Sequence, residues 1–344
     1  MNARVSKRYA QTLFSAFALS VLSITASAQE GHAQDKLYVL SSIKPVHSLV
    51  AMVTGDLANS EIIVKGAASP HTYALTPAQA RDIQRADAIF WVGEDLEAFL
   101  EKPLATIGAR ATLIELMETP GLQKMKFREG GAFEKHDGHD DDHDDDHGHD
   151  DDHDKHDDHD EDHDDDHGNH DDHDGFDPHI WLSPDNAKRI LAYIASALGD
   201  LDPDNKAAYI ANATAAMQDI DQLTDAITDN LSPIKNGGFL LFHDSFQYFE
   251  HAFGLAASGA ISIHPEVAPG ARRIAEIRRL LRKRNVRCVF TEPQFDAKMV
   301  DVILQGTGKK AVEIDPLGAA LPQGDTLYFE LMQAMSTSFR KCLG

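Results

Sequence analysis

Nineteen histidines are the residues of this 344-residue chain best suited to chemistry, and twelve of them stand in one run. Residues 136–174 hold His136, His139, His143, His147, His149, His153, His156, His159, His163, His167, His170 and His173 among twenty-two Asp or Glu. Imidazole beside carboxylate is a set of ligands for a cation. Neutral imidazole suits Zn2+, Cu2+, Ni2+ and Co2+, whereas Ca2+ and Mg2+ prefer shells made wholly of oxygen. The density of His therefore points to a borderline-soft metal. At three or four His per ion, the run has ligands for roughly three or four ions. A solubilising tail enriched in His is the plainer alternative.

The same run accounts for the acidity of the chain. The formal net charge is −24, of which this segment contributes −21, leaving only −3 for everything else. No basic face points to nucleic acid. The run has no aliphatic residue and no apolar period, and blocks of like charge repel. A disordered, solvated loop is expected over residues 134–176.

Seven histidines lie elsewhere: His32, His47, His71, His179, His243, His251 and His264. Three occupy positions just after or beside an expected strand, where α/β folds place ligand sites. His71 follows Gly66-Ala67-Ala68-Ser69-Pro70, His179 lies where the acidic run returns to patterned chain, and His243 directly follows an apolar strand. A single His in such a place is more often a capping or hydrogen-bonded residue than a ligand. Three of them flanking a metal-attracting run form a candidate site, since tetrahedral zinc takes three or four such ligands. Asp315, at the end of the last expected strand, is a candidate fourth ligand; a turn-forming Asp, with water as the fourth ligand, is the alternative. His32 and His251 read as surface residues, while His47 and His264 are ambiguous.

The elements that must position these side chains alternate between short apolar strands and amphipathic helices. Strands are expected at 37–43, 61–65, 88–92 and 112–116, with helices at 45–54, 77–85 and 96–107 between them. Glu94, Asp95 and Glu97 read as the solvated start of the last of these. After the acidic run, Ser183-Pro184-Asp185 is a helix start with Ser as cap and Pro in the first turn. A long stretch at 204–231 then lacks internal Pro and Gly. Alternation resumes with strands at 238–242, 255–261, 286–290 and 311–314 and helices at 245–253, 269–284, 297–305 and 324–342. Asp244 or Ser245 could cap the first of those helices. Such alternation signals parallel sheets covered by helices. The expected fold is two α/β lobes of parallel sheet, joined by a connector helix, with a metal cleft between them. The lobes are placed at 29–200 and 233–344, with the connector at 201–232.

The first twenty-eight residues have the form of a cleavable secretory signal. Arg4, Lys7 and Arg8 precede an apolar stretch at 13–24, and Ala26-Ser27-Ala28 offers a small-residue cleavage site. With no Cys at that site, a soluble exported protein without a lipid anchor is expected. The two cysteines, Cys288 and Cys342, would then meet an oxidising compartment that favours joining them, with a pair of buried free thiols as the alternative.

Several segments together carry a resemblance. Ser42-Ile43-Lys44-Pro45, His71-Thr72-Tyr73, Trp91-Val92-Gly93, His179-Ile180-Trp181-Leu182-Ser183-Pro184, Phe242-His243-Asp244 and Thr291-Glu292-Pro293-Gln294-Phe295 resemble the ZnuA family, the periplasmic zinc-binding components of zinc ABC importers. The likeness covers essentially the whole mature chain in the same order, His-rich insert included. It implies zinc bound by His71, His179 and His243 in a cleft between two lobes held by a rigid helix, and a Cys288–Cys342 disulfide. Related manganese and iron binders carry Glu in place of the third His, so His243 favours zinc over Mn2+. Some zinc members place a carboxylate just before the first ligand; here Pro70 stands there.

The resemblance thus implies a monomeric periplasmic protein that captures Zn2+ and passes it to an integral membrane ABC permease. A manganese or iron binder of the same family, and a zinc buffer without a transporter, are the alternatives. A secreted zinc hydrolase is disfavoured because no His-Glu-x-x-His pair occurs. Glu292, near a strand end, reads as a structural hydrogen-bonding group rather than a general base.

Overall fold

The computed structural model describes residues 36–128, 175–262, 269–283 and 286–344. The expected signal sequence, the twelve histidines of the acidic run, His32 and His264 lie outside the described residues.

The first lobe runs β1 (Tyr38–Ser41), α1 (Lys44–Thr54), β2 (Asn59–Ile62), α2 (Pro77–Arg85), β3 (Ala88–Trp91), α3 (Glu94–Thr106) and β4 (Thr112–Glu115). Its strands are all parallel in the order β2-β1-β3-β4. Helices α4 (Pro184–Leu201) and α5 (Lys206–Leu231) follow. The second lobe runs β5 (Gly238–His243), α6 (Gln247–Phe253), β6 (Ala260–Ser262), α7 (Ala271–Lys283), β7 (Val286–Thr291), α8 (Lys298–Leu304) and β8 (Lys310–Glu313), and α9 (Leu327–Leu343) closes the chain. Its sheet repeats the arrangement as β6-β5-β7-β8, again parallel. Central strands covered on both faces must be apolar throughout, which Ala88-Ile89-Phe90-Trp91 satisfies with every residue buried.

Local chemistry sets the helix starts. Thr76 and Gln79 form a reciprocal capping box in front of Pro77, and Ser183 Oγ accepts the Asn186 N–H at 3.2 Å with Pro184 in the first turn. Three elements differ from the sequence expectation. Strand β2 starts earlier than residue 61, because Asn59 to Ile62 lie opposite Tyr38 to Ser41. Residues 255–259 are irregular chain rather than strand, and the Glu250 carboxylate takes the Ala257 N–H there at 2.6 Å. The long helix starts at Lys206, not 201. A tight turn, Pro203–Asn205, precedes it, and Asp202 Oδ2 accepts from Asn205 Nδ2 at 2.7 Å and Tyr209 Oη at 2.8 Å.

At 1.5 Å per residue the 26 residues of α5 span about 39 Å. That reach lets it pack on α1 and α4 of one lobe and on α6 and α9 of the other. The apolar sides of α1, α4, α5 and α9 share one continuous core, to which Tyr209, Ile220 and Ile227 of α5 and Leu331, Met335 and Phe339 of α9 all belong. A smaller cluster around Phe242, Ile277 and Val289 fills the outer side of the second sheet.

Buried polar contacts tie the lobes further. Lys44 Nζ donates to the carbonyls of Gly318 (2.7 Å), Ala319 (2.9 Å) and Leu321 (2.6 Å). Gly318 adopts φ +67 there, a conformation that favours glycine. Trp181 Nε1 donates to the Pro316 carbonyl at 2.9 Å, and Tyr328 Oη to the Trp181 carbonyl at 3.0 Å. The described residues between Lys36 and Gly344 accordingly pack as one compact unit.

Cys288 on β7 and Cys342 on α9 are joined in a disulfide with Cα atoms 5.7 Å apart, closing 54 residues of chain. A loop of that length stabilises by about 4 kcal/mol through the unfolded chain. Reduction, or Cys342→Ser, is expected to lower unfolding free energy by about that amount in urea titrations with the β7–α9 packing otherwise native; unchanged midpoints in oxidant and reductant would contradict it.

Candidate metal centre

A strand end and two loops deliver imidazoles to the cleft between the sheets. His243 is the last residue of β5, at the strand end where a parallel sheet leaves backbone free to meet a ligand. His179 sits just before a short turn, Ile180–Leu182, that leads into α4. His71 is carried by a turn, Pro70–Thr72, beyond β2. Their ring centroids are 5.2 to 5.7 Å apart, and one nitrogen from each lies within 4.8 Å of the others. His179 and His243 are almost fully buried, and His71 is half-buried.

Two carboxylates decide which nitrogen each buried ring presents. Asp177 Oδ1 accepts both the His179 backbone N–H (3.0 Å) and its Nδ1 (2.7 Å), and Glu292 Oε1 accepts His243 Nδ1 at 2.8 Å. An ionised carboxylate can only accept, so each Nδ1 carries the proton and each Nε2 faces inward with its lone pair. Those two Nε2 atoms stand 3.4 Å apart. Nitrogens bound to one tetrahedral zinc at 2.0–2.1 Å would be separated by about 3.3 Å. His71 Nε2 is buried without a protein partner. A cation of zinc's size therefore fits the pair as it stands, with the His71 nitrogen within 4.8 Å of both as the third ligand.

The proton affinities follow the same geometry. Burial pushes the His71 imidazole well below the ordinary histidine value, and the neighbouring His179 and His243 push it further. Burial also disfavours the charged form of His243, but Glu292 outweighs it and holds that ring above the ordinary value. Burial would raise the Asp177 carboxyl, yet its contacts with His179 and Gln247 bring it below the usual range. The site thus weakens proton binding at His71 and strengthens it at His243, where a proton and a metal compete for the same Nε2.

Asp315 is not in this group. Its Oδ1 accepts from Gln294 Nε2 (2.9 Å) and the Leu317 N–H (3.0 Å), and its Oδ2 from the Ala319 N–H (2.5 Å). A carboxylate at a strand end does face the cleft side, but here the turn that follows takes its lone pairs. His47 is buried on α1 with Nε2 3.4 Å from Ser60 Oγ, away from the cluster, and His251 is exposed on α6. Asp244 and Ser245 do not cap α6. The Asp244 carboxylate instead pairs with Arg128, which also reaches Glu250 at 2.9 Å and so ties the chain before the acidic run to the strand end bearing His243.

Glu97 also departs from expectation. It is fully buried rather than solvated, its Oε2 accepting the N–H groups of Val92 (2.8 Å) and Gly93 (3.1 Å). Burial raises its carboxyl to about 7. Asp177 and Gln247, which serve the site from behind, were not singled out from the sequence; Asp two residues before His in Asp177-Pro178-His179 was the available signal.

Two α/β lobes closing on three imidazoles, two of them oriented by buried carboxylates, define a bilobed metal-ion-binding protein. A family profile described as ZnuA, zinc-uptake complex component A, periplasmic, matches residues 39–342, and the chain belongs to that family. The high-affinity zinc uptake system protein ZnuA of Brucella abortus (strain 2308) is 44% identical over 305 residues, covering 89% of this chain and 91% of that one. Its counterpart in Paracoccus denitrificans (strain Pd 1222) is 36% identical over 307 residues, covering 89% and 91%. Among solved structures, a crystal structure of ZnuA matches with a TM-score of 0.70 at 24% identity, covering 90% of this chain and 100% of that chain, which supports the fold.

In metal-free protein, His243 is expected to titrate above 6.5, and Glu292→Gln to lower it, because the charges of Asp244 and Asp177 are then all that oppose the effect of burial. Histidine NMR titration checks this; an unmoved His243 resonance in the variant would contradict the assigned pairing.

Proposed function

We propose that this chain captures Zn2+ in the periplasm through His71, His179 and His243 and delivers it to an ABC-type membrane permease. The observation that carries the reading is the 3.4 Å separation of two inward-facing Nε2 atoms whose partner nitrogens are held by carboxylates. Three neutral imidazoles add no charge, so the two positive charges of zinc are balanced by Asp177 and Glu292 behind the rings. Burying the ion without them would carry a large desolvation cost. Nitrogen ligands disfavour Mn2+ relative to Zn2+, which supports zinc over the manganese and iron alternatives. Membership of a periplasmic zinc-uptake family supports the compartment and the permease as recipient. No helix among the described residues is long and apolar enough to cross a membrane.

The site is read as one for binding rather than catalysis. Glu292, the carboxylate closest to a general-base position, is engaged with His243. The acidic run, with its twelve histidines, is assigned an accessory role as a weak collector. Many exchangeable ligands near the cleft raise local metal concentration without needing a fixed geometry. The chain is taken to act as a monomer, with the permease as its partner.

Three outcomes test this. Deleting 136–174 is expected to leave one tight zinc equivalent and abolish the weak ones in calorimetry; loss of the tight equivalent would overturn the division of roles. His243→Ala is expected to weaken zinc binding far more than His251→Ala, and equal affinities would refute the ligand assignment. Zinc affinity is expected to fall with decreasing pH, starting above 6.5 because His243 holds its proton more tightly than an ordinary histidine. Competition titrations across pH 5 to 8 check the sign.

A further inference from the structure

Helix α7 carries six Lys or Arg and one Glu in thirteen residues, in a chain whose formal net charge is −24. One side of the helix is spent on the fold. Ile277 and Leu281 are buried in the cluster on the outer side of the second sheet, with Ile274 and Leu280 packed against it. Arg273 donates to the carbonyls of Ile261 (3.3 Å) and Ala260 (2.5 Å), and Arg278 reaches the Val302 carbonyl on α8. The other side faces outward. Arg272, Arg279 and Arg282 are exposed there, and at 3.6 residues per turn they fall within about 80° of one another around the axis.

This face lacks the balance found elsewhere on the surface. Lys65, Lys124, Lys188 and Lys206 each pair with a carboxylate at 2.6 to 3.5 Å. On α7 the one carboxylate, Glu276, serves Arg272 at 3.6 Å and Arg273 at 3.5 Å. Among the described residues, Arg279 and Arg282 have no carboxylate within ion-pair distance. Like charges four residues apart, as in Arg278 and Arg282, weaken a helix, and an anion laid across them offsets that cost.

A strong anion lies in the same chain. The run at 136–174 contributes −21. The chain enters it after Arg128, whose guanidinium is held by Asp244 and Glu250, and leaves it before Phe176, which bridges to Lys126. Asp244 follows His243 at the end of β5, opposite Ser262 at the end of β6, and α7 is the next described helix along the chain. Half of residues 129–174, drawn out at about 3.3 Å per residue, reaches roughly 75 Å, against about 20 Å for the length of α7.

We propose that Arg272, Arg279 and Arg282 form the docking face for the acidic run of the same chain, where they compete with metal ions for its carboxylates. The proposal rests on the reading of the run as a weak metal collector. A guanidinium pairs with a carboxylate through two parallel hydrogen bonds, and the tether supplies an effective concentration of about millimolar order. A metal ion that takes those carboxylates must displace arginine, so the run holds each ion less tightly than its ligands alone would. The imidazoles of the cleft carry no negative charge to draw an arginine. The competition therefore acts on the run and favours transfer to the tight site. Loading also makes the run less negative, which weakens its hold on α7.

The test compares the full chain with the chain lacking 136–174 at low ionic strength, each as the native sequence and as the triple variant Arg272→Gln, Arg279→Gln, Arg282→Gln. Removing the run is expected to shift the backbone amide NMR signals of residues 271–283. That shift is expected to vanish in the triple variant, and in about 1 M NaCl, where the Debye length falls to about 3 Å. Calorimetry of the full-length triple variant is expected to show the weak zinc equivalents bound about 3-fold to 10-fold tighter than in the native chain. The proposal is overturned if the α7 signals are the same with and without the run, or if the weak equivalents bind equally in both full-length proteins. Signals that move on raising the protein concentration or adding phosphatidylglycerol vesicles, and not on removing the run, would give the face to a second copy or an anionic membrane and also overturn it. Failure of the collector reading shows differently: the native chain would bind no weak equivalents, while the α7 signals still answered to the run.

Discussion

Two imidazole nitrogens that face each other 3.4 Å apart, each with its other nitrogen bound to a carboxylate, set lone pair against lone pair unless a positive charge lies between them. This is the constraint on which the rest depends. In water the rings would turn apart or gather solvent. Here Asp177 and Glu292 prevent rotation, burial excludes water, and the repulsion remains to be relieved by a proton or a metal ion. Glu292 raises the proton affinity of His243 against the effect of burial, while burial, and then the nearby His179 and His243, lower that of His71. Binding then exchanges a proton for a metal in a site whose geometry is already drawn.

Holding such a pair in place requires that the lobes not drift. His71 and His179 come with the first lobe and His243 with the second, so small rotations between lobes would open the site. The structure resists this with apolar packing and buried polar contacts together. Helix α5 lies along both halves, and α9 returns from the second sheet to pack on α1. Around the cleft, Trp181, Tyr328 and Lys44 reach across to carbonyls of the opposite side. Tyr248 accepts the Met125 N–H at 3.0 Å and donates to the Asp177 carbonyl at 2.9 Å, so α6 holds the very segment that aims His179. Preorganisation of this kind lowers the ordering cost of binding.

Much of this was legible in the sequence, for identifiable reasons. Alternating apolar strands and amphipathic helices gave both parallel sheets, because βαβ connections leave few other topologies. His71, His179 and His243 stood out by their place at loop ends beside strands, and the structure brings them together. What failed to show was the use made of acceptors. Asp315 read either as a ligand or as a turn-forming Asp, and which it is depends on the residues after it and on Gln294, none of which periodicity reports. Glu97 read with Glu94 and Asp95 as an acidic, solvated helix start; Glu94 and Asp95 are exposed, but Glu97 is not. A positive φ at Gly93 turns the chain so that Glu97 folds back onto the Val92 and Gly93 amides. The boundaries of β2 and of the long helix shifted because register and a local Asp202 network, not propensity, set them. The acidic run was the loudest feature of the sequence, while the cluster that fits a metal is built from three scattered residues.

The central claim is that the tightly held zinc sits on three imidazoles and one oxygen, and zinc K-edge X-ray absorption of the full chain loaded with one equivalent measures that shell directly. The account predicts three histidine nitrogens at about 2.0–2.1 Å with one light oxygen ligand in a four-coordinate site. A shell dominated by carboxylate oxygen, or one with fewer than three imidazoles, would place the metal on the acidic run instead and contradict it.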